Sequence, residues 1–348
     1  MKPLVRAAIL PALLGAALLP GCASSILARR MVTAPNRQSV PQVVGDPRVA
    51  ERFDRTYAQA WRVPVGPPAA ELSVAVIEPG DYQLKDTVET KFAPNGSGSL
   101  TYSINWAFRS AGAPTLQPKG TIVLLHGILV TKEYMIHWAL DLAQRGYRTV
   151  LVDLRGHGRS TGHWITFGAV EAKDLKQVMD DLERRGVVAG STGVLGISYG
   201  AVVALQWAAL DPRVATVVAL EPYSNPQQAI MEFSRGYFSR EMKRIDDATF
   251  VAAEAKAAHL AGFAWADADV LHSVQRMRVP ILFFHGQRDT WIPPIHSERL
   301  LAAAPAGSRR VLLPDDNHLT LAVRLEPLAP EVAAWFDAHL PSAAGAKP

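Results

Sequence analysis

A single cysteine, Cys22, stands in 348 residues. That excludes an intramolecular disulfide framework and any zinc site built on cysteines. Charge of either sign is scarce: 36 basic and 32 acidic residues leave a formal +4, and no basic stripe supports a nucleic-acid partner. There is no H-E-x-x-H helix, no P-loop, and no glycine-rich dinucleotide fingerprint after a first strand, so no metal or cofactor is expected. No internal repeat or low-complexity segment is visible. Glycine and proline, 25 each, are far below collagen-like or disordered levels, and 49% of the chain is apolar. A folded chain with ample core is left, either about two domains or one large α/β domain with insertions.

The N-terminus reads as a targeting segment. Lys2 and Arg6 form a short basic region, and Ala7 to Leu19 is apolar. This run is too short to span a bilayer, which takes about 20 residues, but its flanks fit a secretory signal. It ends in Leu19-Pro20-Gly21-Cys22-Ala23, which resembles the lipobox of bacterial lipoproteins. The resemblance implies removal of residues 1–21, lipid on Cys22, and a place in the cell envelope on the outer side of a membrane. Multiple acyl chains on one cysteine anchor stably where one chain alone is marginal. An ordinary signal peptide cut nearby, with Cys22 incidental, is the competing reading. Residues 22–70 are polar and proline-punctuated and read as a flexible tether with one short helix near Arg48 to Ala60. Residues 341–348 read as a C-terminal tail.

Residues 71–340 carry the folded pattern. Glu71 to Ile77 and Ser99 to Phe108 alternate and predict an antiparallel pair. Beyond Lys119, short apolar runs take over: Thr121 to His126, Arg148 to Asp153, Gly193 to Ile197, Val214 to Leu220, Ile281 to His285 and Arg310 to Leu313. Between them lie helical stretches, Lys132 to Gln144, Ala169 to Arg185, Gly200 to Leu210 and Ile295 to Ala304, with Pro330 to His339 last. Such alternation predicts an α/β fold, a mostly parallel sheet with helices on both faces. Ligand sites in such sheets lie at the carboxyl ends of strands. Tyr223 to Met277 breaks the rhythm with helices alone and predicts a helical lid insertion over those ends.

Gly196-Ile197-Ser198-Tyr199-Gly200 directly follows a buried strand and precedes a helix. This is the setting of a nucleophile elbow, where a sharp turn lifts a serine hydroxyl out of the sheet. A serine needs a base, and His318, on a loop after the last strand, is the best placed of ten histidines. His126 also ends a strand but precedes the serine and reads as a loop-shaping residue. The acid belongs between Ser198 and His318 at a strand end, where Asp289 and Glu221 compete. Asp289, in the turn Gly286 to Pro293, is preferred because that turn places it tightly; Asp315 and Asp316 lie too near His318 in sequence. Transition-state charge needs donors, and the backbone N–H groups of Tyr199 and Ile128 (Leu129 as second choice) are the candidate oxyanion hole.

Residues 121–340 resemble the α/β-hydrolase superfamily. The motifs run in order: His126-Gly127, then Asp153-Leu154-Arg155-Gly156-His157-Gly158-Arg159-Ser160, the Ser198 elbow, the Gly286 to Pro293 turn, and His318. The resemblance implies an eight-stranded, mostly parallel sheet, a structural role for His157, and hydrolysis of an ester, thioester or amide. A carboxylesterase-like enzyme acting on a small or lipid-like acyl substrate is the leading expectation. An acyltransferase on the same fold is the second, and a non-catalytic membrane-tethered binding protein the third.

Overall fold

The computed structural model describes residues 20–38, 47–92, 98–108, 116–237 and 245–340. The apolar runs form the expected sheet. Strands β1 (Gln59–Val65), β2 (Ala70–Ile77), β5 (Thr121–Leu125), β6 (Arg148–Val152), β7 (Thr192–Ile197), β8 (Val214–Leu220), β9 (Ile281–Gly286) and β10 (Arg309–Leu313) lie in the order β1-β2-β6-β5-β7-β8-β9-β10. From β6 to β10 every pairing is parallel, while β2 runs antiparallel to both neighbours.

These strands are apolar along their whole length because both faces are covered. Ile122, Leu124, Leu195 and Leu220 face α3 (Ile136–Gln144) and α11 (Leu328–His339), while Val123, Leu125 and Val194 face α4 (Glu171–Arg184) and α5 (Tyr199–Leu210). Register brings the strand ends into one row. Leu125 pairs with Gly196, Ile197 with Leu220, Leu220 with Phe284, and Gly286 with Leu313. The next residue of each chain continues the row: Ser198 N–H donates to Leu220 O at 2.7 Å and Glu221 N–H to Phe284 O at 2.8 Å. The chain reverses its winding direction at β5, so this rim holds a topological switch point.

Three expectations need correction. The stretch from Cys22 to Ala70 is not a loose tether over its described part. Helix α1 (Pro20–Val32) buries Leu27, Ala28, Met31 and Val32 against α7 (Asp247–Ala261), and Lys256 Nζ donates to the hydroxyls of Ser24 and Ser25 at 2.7 and 2.9 Å. Ala34 N–H then donates to His163 O at 3.0 Å and Asn36 Nδ2 to Ser160 O at 2.7 Å, clipping the segment to the turn after β6. Helix α2 (Pro47–Thr56) and β1 follow. The apolar spacing of residues 27, 28, 31 and 32 is a helical stripe, masked in the sequence by surrounding Ala, Ser and Arg. Cys22 is exposed in the first turn of α1. Residues 1–19 of the expected signal segment and the expected tail 341–348 lie outside the described residues.

The second correction concerns pairing. Residues 71–77 pair with β1 and β6, not with Ser99 to Phe108. The latter lies in β4 (Gly98–Phe108), which forms a separate two-stranded ribbon with β3 (Tyr82–Phe92). Alternation marks a half-buried strand but does not name its partner. The third concerns the insertion. Of the described helices between β8 and β9, α6 (Pro226–Tyr237) lies over the strand ends, while α7 packs on α1 and α8 (Val270–Arg276) on α5.

Candidate active site

Ser198 sits between β7 and α5 with φ 51° and ψ −113°, a left-handed conformation forced by the sharp turn. Its flanking glycines are there for space: a Cβ on Gly196 would lie 2.4 Å from Gly200 O, and one on Gly200 2.4 Å from Leu125 O. The elbow therefore locks β7, β5 and α5 together at backbone contact.

The loop after β10 carries His318 at the start of α10 (His318–Val323), which is capped by Asn317, whose side chain accepts from Leu319 and Thr320 N–H. That cap fixes the direction of the imidazole. His318 Nε2 lies 3.0 Å from Ser198 Oγ, and Nδ1 lies 2.6 Å from Asp289 Oδ2. Asp289 Oδ1 accepts two backbone N–H bonds, from Trp291 and Ile292, both at 2.9 Å. Burial pushes the Asp289 carboxyl up, and His318 and His285 more than offset it, leaving it well below the ordinary carboxylate range. The three predicted side chains thus meet in one hydrogen-bonded relay. Glu221, the competing acid, is also here: its Oε2 lies 3.5 Å from His318 Nδ1.

Ile128 and Tyr199, the residues expected to supply the backbone donors, stand beside Ser198 at the rim. Both line a small cavity of about 50 Å³ beside Ser198, closed by Phe167, Tyr223, Pro226, Ala229, Ile230, Phe233 and Ile292. Leu129, with φ 64°, bends the loop after β5. Several of these walls were not legible in the sequence. Phe167 (φ 54°) precedes α4 in a turn of no recognisable pattern, and Trp291, 5.6 Å from the His318 ring and edge-on to Phe233, roofs the imidazole.

The remaining histidines near the rim are structural, as expected. His126 donates from Nδ1 to Gly127 O at 2.7 Å, and its Nε2 accepts from Leu154 N–H at 3.0 Å. His157 Nδ1 donates to Arg155 O at 2.9 Å.

Below the loop after β5 lies a charged triad that sequence reasoning missed. Lys132, fully buried, contacts Asp153 Oδ2 at 2.8 Å and Glu133 Oε1 at 3.1 Å, while its N–H donates to Asp153 Oδ1 at 2.7 Å. Arg159 N–H adds a further bond to Asp153. Lys132→Met is expected to destabilise the fold by about 3–5 kcal/mol, because it leaves two buried carboxylates without their cation. Urea denaturation at neutral pH checks this, and a change under about 1 kcal/mol would show that the carboxylates find another partner.

The description X-Pro dipeptidyl-peptidase (S15 family) matches residues 67–254. The uncharacterized protein YqkD of Bacillus subtilis is 28% identical over 187 residues, covering 52% of this chain and 58% of that protein. Epoxide hydrolase B of Mycobacterium tuberculosis is 35% identical over 115 residues, 32% of this chain and 31% of that one. The chain thus spans under two thirds of the curated relatives it matches. Among solved structures, the Pyrococcus furiosus esterase Pf2001 superposes with a TM-score of 0.59 at 19% identity, covering 86% of this chain and 98% of that chain. At that identity the likeness is one of fold, and the fold is that of the α/β-hydrolases.

Proposed function

The chain belongs to the X-Pro dipeptidyl-peptidase (S15) family, and from that premise we propose that it is a serine hydrolase cleaving carboxylic esters of short apolar acids through an acyl-enzyme on Ser198. The carrying observation is the continuous relay from Ser198 Oγ to His318 to Asp289, at 3.0 and 2.6 Å. Ser198 Oγ attacks the acyl carbonyl as His318 Nε2 takes its proton. Asp289 holds Nδ1–H and stabilises the imidazolium. The N–H groups of Tyr199 and Ile128 receive the developing oxyanion. The imidazolium then gives its proton to the leaving alkoxide, and water activated by the same imidazole releases the acid.

The acyl side of the substrate is read from the cavity. Its volume of about 50 Å³ is far below the roughly 300–1,000 Å³ of sites that enclose drug-sized ligands, and its walls are almost wholly aliphatic and aromatic. Acetyl and butyryl nitrophenyl esters are therefore expected to turn over at least about tenfold faster than octanoyl and palmitoyl esters, alongside covalent labelling by a fluorophosphonate. No labelling of folded protein would defeat the hydrolase reading. Faster turnover of an X-Pro dipeptidyl nitroanilide than of the butyryl ester would replace the ester by a peptide bond, and a preference for alcohols over water as acceptor would make the enzyme a transferase.

Cys22, exposed at the first turn of α1, supports a lipid-anchored reading in which the membrane attachment is held on the body of the protein through α1. Cys22→Ser is expected to give protein that leaves the membrane fraction or stays as uncleaved precursor. Correctly cleaved mutant that still sediments with membranes would remove this assignment.

A further inference from the structure

Glu221 is a carboxyl in the rim that the relay does not use. It is fully buried, and neither carboxylate oxygen has a hydrogen-bond partner among the described residues. Its backbone is held at φ 54° by the bond from its N–H to Phe284 O, so its side chain is aimed by the sheet itself. A buried carboxyl left without donors is costly unless something else uses it. What it faces is the imidazole: Oε2 stands 3.5 Å from His318 Nδ1, the same nitrogen that Asp289 Oδ2 holds at 2.6 Å.

We propose that Glu221 is a second acid for His318, a positioning residue that takes over Nδ1 when the Asp289 carboxylate is lost. This rests on the hydrolase reading above. The move required is under about 1 Å, the difference between 3.5 Å and hydrogen-bond length.

The groups around Glu221 explain why it waits in reserve. Asp289 faces it from the turn after β9, Asp316 and His318 from the stretch after β10, and Tyr134 from the turn before α3; His285 lies against Asp289, and Arg324 is paired with Asp316. Burial first, then Asp289 and Asp316, pushes the Glu221 carboxyl well above its ordinary range. The Asp289 charge favours the protonated form of Glu221. Removing the Asp289 charge removes one of those causes and leaves Nδ1–H without its acceptor, so Glu221 ionises at lower pH than before and accepts that hydrogen bond.

Three isosteric variants test this: Asp289→Asn, Glu221→Gln and the double substitution, each assayed for ester hydrolysis and fluorophosphonate inactivation against pH. Loss of the sole acid of such a relay costs about 10⁴-fold. Asp289→Asn is expected to lose only about 10²-fold, Glu221→Gln a few-fold, and the double variant about 10⁴-fold. A rate limb in Asp289→Asn that the wild type lacks belongs to Glu221. That limb is expected in the single variant and absent from the double. Identical rates for Asp289→Asn and the double variant at every pH would overturn the proposal, while unlabelled wild type would defeat the hydrolase reading instead. Should the double variant not fold by circular dichroism, the Asp289→Asn profile decides alone: the extra limb supports the second acid, and its absence overturns it.

Discussion

Ser198→Ala is expected to abolish fluorophosphonate labelling and to lower ester hydrolysis by about 10⁶-fold, the scale on which relays of this kind lose rate when the nucleophile is removed. The residual rate, about 10³-fold over water, comes from donors and binding that the substitution leaves in place. Stability is expected to change little, because among the described residues Ser198 Oγ has one hydrogen bond, to His318, and its strained backbone is held by the packed glycines on either side. A second serine makes the control meaningful. Ser224 Oγ lies 2.9 Å from His296 Nδ1, and His296 Nε2 lies 2.8 Å from Glu232 Oε2. The arrangement looks like another relay. Ser224 is however only 1% exposed, and the same Nδ1 also accepts Ser224 N–H at 3.1 Å. It pins α6 to α9 (Ile295–Ala303) and keeps α6 over the cavity. Labelling that survives in Ser198→Ala would move the nucleophile to such a site and end the assignment.

What could be read from the sequence, and what could not, divides by the range of the interaction. The strands from β5 to β10 announce themselves because burial on both faces makes each a continuous apolar run. The elbow is legible because a Cβ at position 196 or 200 would lie 2.4 Å from a backbone oxygen, so only glycine fits there. Asp289 and His318 followed from strand ends and chain order. The docking of α1 was hidden because Leu27, Ala28, Met31 and Val32 form a stripe only once α7, more than two hundred residues later, is present to bury them. The partner of Ser99 to Phe108 was hidden for the same reason: period-2 alternation is local, and pairing is not. Glu221 and Asp289 could be ranked as rivals but not seen as neighbours, since each satisfies the rule for a strand-end acid. Only the register of β8 against β9 puts both on one nitrogen.

Acid is expected to unfold this protein well before its carboxylates are neutralised. His126, His137 and His157 are fully buried, and burial lowers each from the usual 6.5, to about 4, about 4 and about 3, against weaker upward pulls from backbone carbonyls. The sign follows from which state takes the proton first. Unfolded chain protonates these rings near pH 6.5, while the folded protein resists until far lower, so stability is intact above about pH 7.5 and is lost as pH falls. By pH 5 the loss is about 2 kcal/mol for each ring and about 6 kcal/mol together. His126 shows the physical reason: both nitrogens are committed, and a proton on Nε2 would point at Leu154 N–H. A domain is stable by only about 5–15 kcal/mol, so urea midpoints taken between pH 7.5 and pH 5 are expected to fall steeply. In His157→Gln the fall is expected to shrink by about a third whatever the variant's stability at neutral pH, because one of three linked protons is gone. A midpoint that stays level to pH 5 would show that these rings already carry charge in the fold, and the tautomer assigned to His126 at the end of β5 would be wrong with them.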